Sequence, residues 1–179
     1  MKYPGYRISC TCASLHITLP HRFYFIHFMT SPIYFIPIVL LLMACDQLTK
    51  LLVLYAVPLF GTIKVVPRFF YLTHLYNTGA AFGIMHDSNR FFMIVSLAAI
   101  LLLFWQRHHF VALSLQLGWV LLLSGILGNL CDRVLRGHVV DFLGFQIWNY
   151  YWPPFNIADS CICMATGFFL LSAFSSQRN

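Results

Sequence analysis

Residues 137–160, GHVVDFLGFQIWNYYWPPFNIADS, carry two aspartates, Asp141 and Asp159, among Phe, Trp and Tyr. They are two of only 5 acidic residues in the chain, and there is no Glu. Two neighbouring carboxylates repel when both are ionised, so one tends to keep a proton. A paired acid and base is the division of labour that activates water against a peptide bond. The same pair could relay protons or ions across a membrane, or serve the fold alone. No Lys or Arg lies closer in sequence to Asp141 than Arg136. Pro153-Pro154 fits the start of a helix, where proline is tolerated in the first turn. Asn156 and Asp159 then share one face of that helix, with Asp159 in or near its first turn.

Three further polar clusters interrupt apolar sequence. A charge at the centre of a membrane helix costs at least about 2.5–3.5 kcal/mol, so each cluster is a functional candidate by default. Asp46 and Lys50 are spaced i,i+4 on one helix face and can pair, which reads as an ion pair anchoring the first helix. The run Asn77-Thr78-Gly79-Ala80-Ala81-Phe82-Gly83 is rich in small residues that let backbone approach a ligand or another segment closely. It reads equally as a plain turn entering the second helix. Asn129, Asp132 and Arg133 share a face at the end of the third helix. Asp132 beside Arg133 reads there as a satisfied structural pair.

The elements that position these residues belong in a membrane. The chain is 60% hydrophobic and 9% charged, against about 25% charged residues in soluble domains. Apolar runs at 33–44 with 51–59, 91–105, 110–127 and 157–174 approach or meet the roughly 17–25 residues that a spanning helix needs. The expected fold is a mainly α membrane protein with four transmembrane helices, the second being the shortest. The β-branched and aromatic stretch 60–76, broken by Gly61 and Pro67, reads as two short strands followed by a turn at Asn77-Thr78-Gly79. This gives a small extramembrane β-sheet on the outer face, leaning on the bilayer.

Residues 1–30 are read as a poorly ordered cytoplasmic extension, with Met29 an alternative start site. Residues 31–176 form the four-helix membrane domain, with an outer β subdomain at about 58–86. Leu42-Met43-Ala44-Cys45 resembles a cleavage box, but cutting there would split the first span, so a signal-peptide reading is set aside. Lys2, Arg7, Arg22, Arg107 and Arg178 fall on one side and Lys64, Arg68, Arg90, Arg133 and Arg136 on the other. Positive charge therefore does not orient the chain. The 6 cysteines have spacings that suit neither a zinc site nor a disulfide framework. The net charge of +6 fits a membrane surface, with no basic cluster dense enough to track nucleic acid.

Five blocks in order resemble the signatures of bacterial lipoprotein signal peptidase (signal peptidase II). They are Asp46-Gln47-x-x-Lys50, Asn77-Thr78-Gly79-Ala80-Ala81-Phe82-Gly83, Gly128-Asn129-x-x-Asp132-Arg133, Gly137-His138-Val139-Val140-Asp141-Phe142 and Phe155-Asn156-Ile157-Ala158-Asp159-Ser160. The resemblance spans roughly residues 33–175. It implies a multi-pass protein of the bacterial inner membrane with cytoplasmic termini and its site near the outer face. It implies an aspartic endopeptidase that cuts prolipoproteins just before a diacylglyceryl-modified cysteine, with Asp141 and Asp159 as the dyad. Asp46, Lys50, Asn77, Gly79, Asn129, Asp132, Arg133 and Asn156 are, by likeness, supporting or substrate-binding. Membrane lipids are expected partners and globomycin-like peptides expected inhibitors, and no metal or organic cofactor is implied. The remaining alternatives are a proton-coupled transporter or channel subunit using the two aspartates as relays, and a non-enzymatic membrane scaffold.

A helix N-terminus favours an anion, so Asp159 is expected to be the ionised partner in the free enzyme. The aromatic residues Trp148, Tyr150, Tyr151 and Trp152 suit the headgroup zone and are expected to form a movable flap over the dyad.

Overall fold

The computed structural model describes residues 32–79 and 88–176. The readings of residues 1–30, and of positions 80–83 in the Asn77 block, lie outside them. A short 3-10 turn, Pro32–Phe35, leads into helix α1, Ile36–Ala56. Strands β1 (Thr62–Val66) and β2 (Phe70–Asn77) follow, then α2 (Asn89–Trp105) and a 3-10 turn at Arg107–His109. Helix α3 (Leu113–Arg136), strands β3 (Val139–Ile147) and β4 (Tyr150–Phe155), and helix α4 (Ile157–Ser176) complete the order.

Three segments are long and apolar enough to cross a membrane: Ile33–Ala56, Leu113–Arg136 and Ile157–Ser175. The first is one unbroken helix across the polar patch at Asp46 to Lys50, because that patch is buried against protein. Helix α2 has 17 residues, about 25 Å at 1.5 Å per residue, slightly less than a hydrocarbon core of roughly 30 Å.

Helix α3 is the centre of the bundle. Its Trp119, Val120 and Leu123 form a buried cluster with Val39 of α1 and Leu103 of α2. The Trp119 indole N–H donates to the Leu103 carbonyl at 3.0 Å, which satisfies the one polar atom in that cluster. On its other side α3 runs close along α4, and glycines permit the approach: a Cβ at Gly125 would clash with the Ala158 carbonyl oxygen. A Cβ at Gly128 would lie 2.8 Å from Asp46 Oδ2 and 3.0 Å from Ala158 Cβ. Small residues at such crossings let backbones meet where lipid gives no hydrophobic push. Helix α3 ends at Gly137, whose φ of 78° is the left-handed cap that glycine adopts without strain.

The sheet is antiparallel in the order β1-β2-β3-β4. The expected pair of strands in 60–76 is present, but residues 139–155, expected as a loop, add two more. Ile147 pairs with Tyr150 across a two-residue turn, with Trp148 at φ 56°. The aromatic and β-branched side chains that suit the headgroup zone are also good strand formers. The helix start expected at Pro153-Pro154 is corrected too. Both prolines lie in β4, where the pairing with β3 slips by one residue between Leu143 and Phe145. Proline lacks the N–H that a regular ladder needs, and it is confined to such edges and bulges. Helix α4 starts later, at Ile157.

Candidate active site

Asp141 lies on β3 and Asp159 in the first turn of α4. Together with Asn77, Gly79, Asn129 and Arg133, both line one cavity of about 720 Å³. Its other walls are mostly apolar, from Val139, Trp152, Pro153, Pro154, Phe155, Ile162 and Met164, with Ser160 and Cys163 beside them. None of the ion pairs among the described residues involves Asp141 or Asp159. Their hydrogen-bond donors among the described residues are amides.

Three asparagines supply most of those donors, and each is held one way round. The Asn77 side-chain oxygen accepts the Gly79 N–H at 3.0 Å, so its NH₂ faces Asp141 Oδ2 at 2.9 Å. The Asn156 oxygen accepts the Asp159 N–H at 2.9 Å, and its NH₂ donates to Asp141 Oδ1 at 2.8 Å. The Asn129 oxygen accepts Lys50 Nζ at 3.2 Å, and its NH₂ donates to Asp159 Oδ1 at 2.7 Å. A backbone N–H or an ammonium can only donate. In each case, therefore, the fixed donor forces the amide nitrogen toward the carboxylate.

Asn156 and Asp159 also form a reciprocal cap at the start of α4. Asn156 takes the Asp159 N–H, and Asp159 Oδ2 takes the Asn156 N–H at 3.3 Å, the capping-box arrangement at positions N-cap and N3. One aspartate of the pair is thus built into the helix end, where the dipole favours negative charge. Asp141 is different. It is buried on the sheet, and burial raises its carboxyl to about 7, with the Asp159 charge adding to the rise and the amides of Asn77 and Asn156 opposing it.

Behind the pair lies a compact ion cluster. Lys50, fully buried, reaches Asp46 at 2.8 Å, Asp132 at 2.9 Å and Asn129. Three acceptors match its three donors. Asp46 Oδ1 also receives the Ala158 N–H of α4 at 2.8 Å. Asp132 Oδ2 receives the Val140 N–H at 3.1 Å, tying the cluster to the residue before Asp141. The anchoring Asp46–Lys50 pair is as the spacing suggests, but the Asp132–Arg133 pair is not. Asp132 instead takes Arg136, one turn on, together with Lys50. Adjacent helix residues do not face each other, whereas i,i+4 residues do. Arg133 turns to the cavity, donates to the carbonyls of Gly79 at 3.3 Å and Asn129 at 3.4 Å, and stands 5.1 Å from the Phe92 ring centroid.

All ten sequence-derived site residues therefore fall in the cavity wall or in the network directly behind it. Sequence reasoning missed Gln47 and Arg136. Gln47 Nε2 donates to Asp132 Oδ1 and the Gly128 carbonyl at 3.0 Å each, while its oxygen accepts Arg136 at 2.9 Å. Gln47 stands inside the Asp46 block, and the i,i+4 spacing of Asp132 and Arg136 was the available signal.

Comparisons with known proteins give the family. Residues 38–175 match the sequence profile of the family described as signal peptidase (SPase) II. The lipoprotein signal peptidase of Syntrophotalea carbinolica is 41% identical over 143 residues, covering 74% of this chain and 85% of that protein. That of Bacillus pumilus is 40% identical, covering 71% and 84%. A solved bacterial membrane enzyme superposes with a TM-score of 0.75 at 32% identity, covering 79% of this chain and 88% of the other. A peptidase family, and not a transporter, is what these likenesses support. The chain belongs to the signal peptidase II family of lipoprotein-processing proteases.

Proposed function

We propose that this chain is an aspartic endopeptidase that removes signal peptides from diacylglyceryl-modified prolipoproteins, cutting just before the lipidated cysteine. The observation that carries the reading is the contrast between the two aspartates of one cavity. Asp159 sits in a helix cap that suits an anion, and Asp141 in a buried strand position held by the amides of Asn77 and Asn156.

In the hydrolysis, Asp159 takes a proton from water as the water oxygen bonds to the scissile carbonyl carbon. Asp141 gives its proton to the carbonyl oxygen, so the developing charge is neutralised. The tetrahedral centre then collapses. The C–N bond breaks, the nitrogen takes the proton held by Asp159, and the oxygen returns the other to Asp141. Asn129, Asn156 and Asn77 hold the carboxylates in place, and Arg133 and Gly79 border the cavity where the substrate backbone would lie. Asp46, Lys50 and Asp132 hold the elements that carry them.

In the same reading α2 is a fourth span, the termini are cytoplasmic, and the cavity and sheet lie near the outer face of the inner membrane. Globomycin-like peptides and membrane lipids would occupy the cavity and its apolar rim. The β3–β4 hairpin, with Trp148, Tyr150, Tyr151 and Trp152, acts as a flap. Hydrogen exchange there faster than in the helix cores, and slowed by a peptide inhibitor, is the expected sign; protection equal to the cores throughout would refute it. The function itself is tested by cleavage of a purified diacylglyceryl prolipoprotein. Asp141→Asn and Asp159→Asn should each abolish cleavage with folding intact, and full activity in either would reject the dyad.

A further inference from the structure

Leu72 and Asn77 are five residues apart on β2, yet both stand opposite residues of β3 that share a face with Asp141. Leu72 faces Leu143, and Asn77 faces Val139. Side chains of a regular strand alternate, so an odd separation should put them on opposite faces. The pairing explains the exception. Up to Leu72 the register follows Leu72↔Leu143, and from Leu75 it follows Leu75↔Asp141. Thr73 and His74 together therefore oppose Phe142 alone, which is a β-bulge. In an unbulged ladder Asn77 would oppose His138, and its side chain would leave the face of Asp141.

His74 holds this bulge. Its backbone N–H and C=O turn away from β3 to the chain ahead of β1, donating to the Gly61 carbonyl at 3.2 Å and accepting the Phe60 N–H at 2.9 Å. Its ring is buried, and Nδ1 meets the Val57 carbonyl at 2.7 Å. A carbonyl only accepts, so Nδ1 carries the proton. Val57 caps the C-terminal end of α1, where the last carbonyls lack partners within the helix. Nε2 is buried with no partner among the described residues, which leaves Val57 as the ring's hydrogen-bonded anchor there.

We propose that His74 is a positioning residue for the dyad. By pinning the bulge to the end of α1, it sets the register that aims Asn77 at Asp141. This rests on the dyad reading above, and it extends that reading to a residue outside the cavity wall.

The test is steady-state cleavage of the diacylglyceryl prolipoprotein by the full chain, for His74→Ala, His74→Asn, Asn77→Ala and the double variant His74→Ala/Asn77→Ala. His74→Ala should lower kcat about tenfold, the scale seen when an outer partner of a functional group is removed, with KM little changed. Asn carries its NH₂ where Nδ1 stands, so His74→Asn should retain most of kcat. Once Asn77 is Ala, the further loss from His74→Ala should vanish, because the two act through one contact. If His74→Ala does not fold, His74→Gln fills the space with its amide where Nε2 stood, and the same tenfold loss is expected of it. Independent, multiplying losses in the double variant, or full kcat in folded His74→Ala or His74→Gln, would overturn the proposal. Activity retained by Asp141→Asn would instead sink the dyad reading, so the two failures are told apart.

Discussion

Two polar clusters sit back to back in this membrane bundle, and they are compensated in opposite ways. Behind the cavity, Asp46 and Asp132 face Lys50 and Arg136, so carboxylates and cations balance and Lys50 has every donor used. At the cavity, the donors to Asp141 and Asp159 among the described residues are amides. A matched cation would hold a carboxylate ionised and unreactive, whereas amides orient it and leave it able to take up a proton. The cluster behind is built to stay charged, and the pair in front is built to change charge. Asn129 joins them, with its oxygen on Lys50 and its nitrogen on Asp159.

The largest expected effect comes from breaking the compensated side. Lys50→Met leaves two buried carboxylates without their shared cation, and removing one partner of a buried pair costs about 3–5 kcal/mol. Thermal unfolding in detergent or lipid should show a large drop for Lys50→Met and a much smaller one for Asp159→Asn. Equal drops would erase the distinction between the clusters. Next in size is the bridge. Asn129→Leu removes the donor from Asp159 and an acceptor from Lys50, and should lower kcat by about 10–100-fold, as loss of an outer partner does. Asn129→Asp should not rescue it, because a carboxylate cannot donate to Asp159. Cleavage kinetics check both variants, and wild-type kcat in Asn129→Leu would cut the link. The smallest effect is expected at Arg136, which is partly exposed and shares Asp132 with Lys50. Arg136→Gln should cost about 1 kcal/mol or less, near the range of exposed pairs, with kcat unchanged. A loss as large as that of Lys50→Met would contradict the ranking.

Much of this was legible in the chain itself. The scarcity of acids made Asp141 and Asp159 conspicuous, and the i,i+4 spacing of Asp46 and Lys50 gave their pair directly. What stayed hidden depended on long-range pairing. The hairpin of β3 and β4 was unreadable because its two prolines argue against a regular strand, and a bulge accommodates them. The cap of α4 was obscured by the same prolines, which placed the helix start three residues too early and hid the reciprocal bonds of Asn156 and Asp159. The bulge at Thr73 and His74 leaves no local signature, since its register is set by β3, more than 60 positions away. Asp132 chose Arg136 over its neighbour Arg133 because helix geometry, not adjacency, decides which side chains meet.

The central claim is that one aspartate of the pair works protonated and the other ionised. The pH dependence of kcat/KM on a diacylglyceryl prolipoprotein tests it most directly, because its limbs report the essential acid and base of the free enzyme. Asp141 is raised to about 7, so it holds its proton below that pH and loses it above. Activity should therefore fall on the alkaline side of pH 7, by about tenfold per unit once the proton is gone, with the limb belonging to the coupled pair. An acidic limb should appear where Asp159 takes up a proton. A bell of that shape, with its alkaline limb near 7, is the predicted result; activity that stays flat from pH 6 to pH 9 with the protein folded would contradict it.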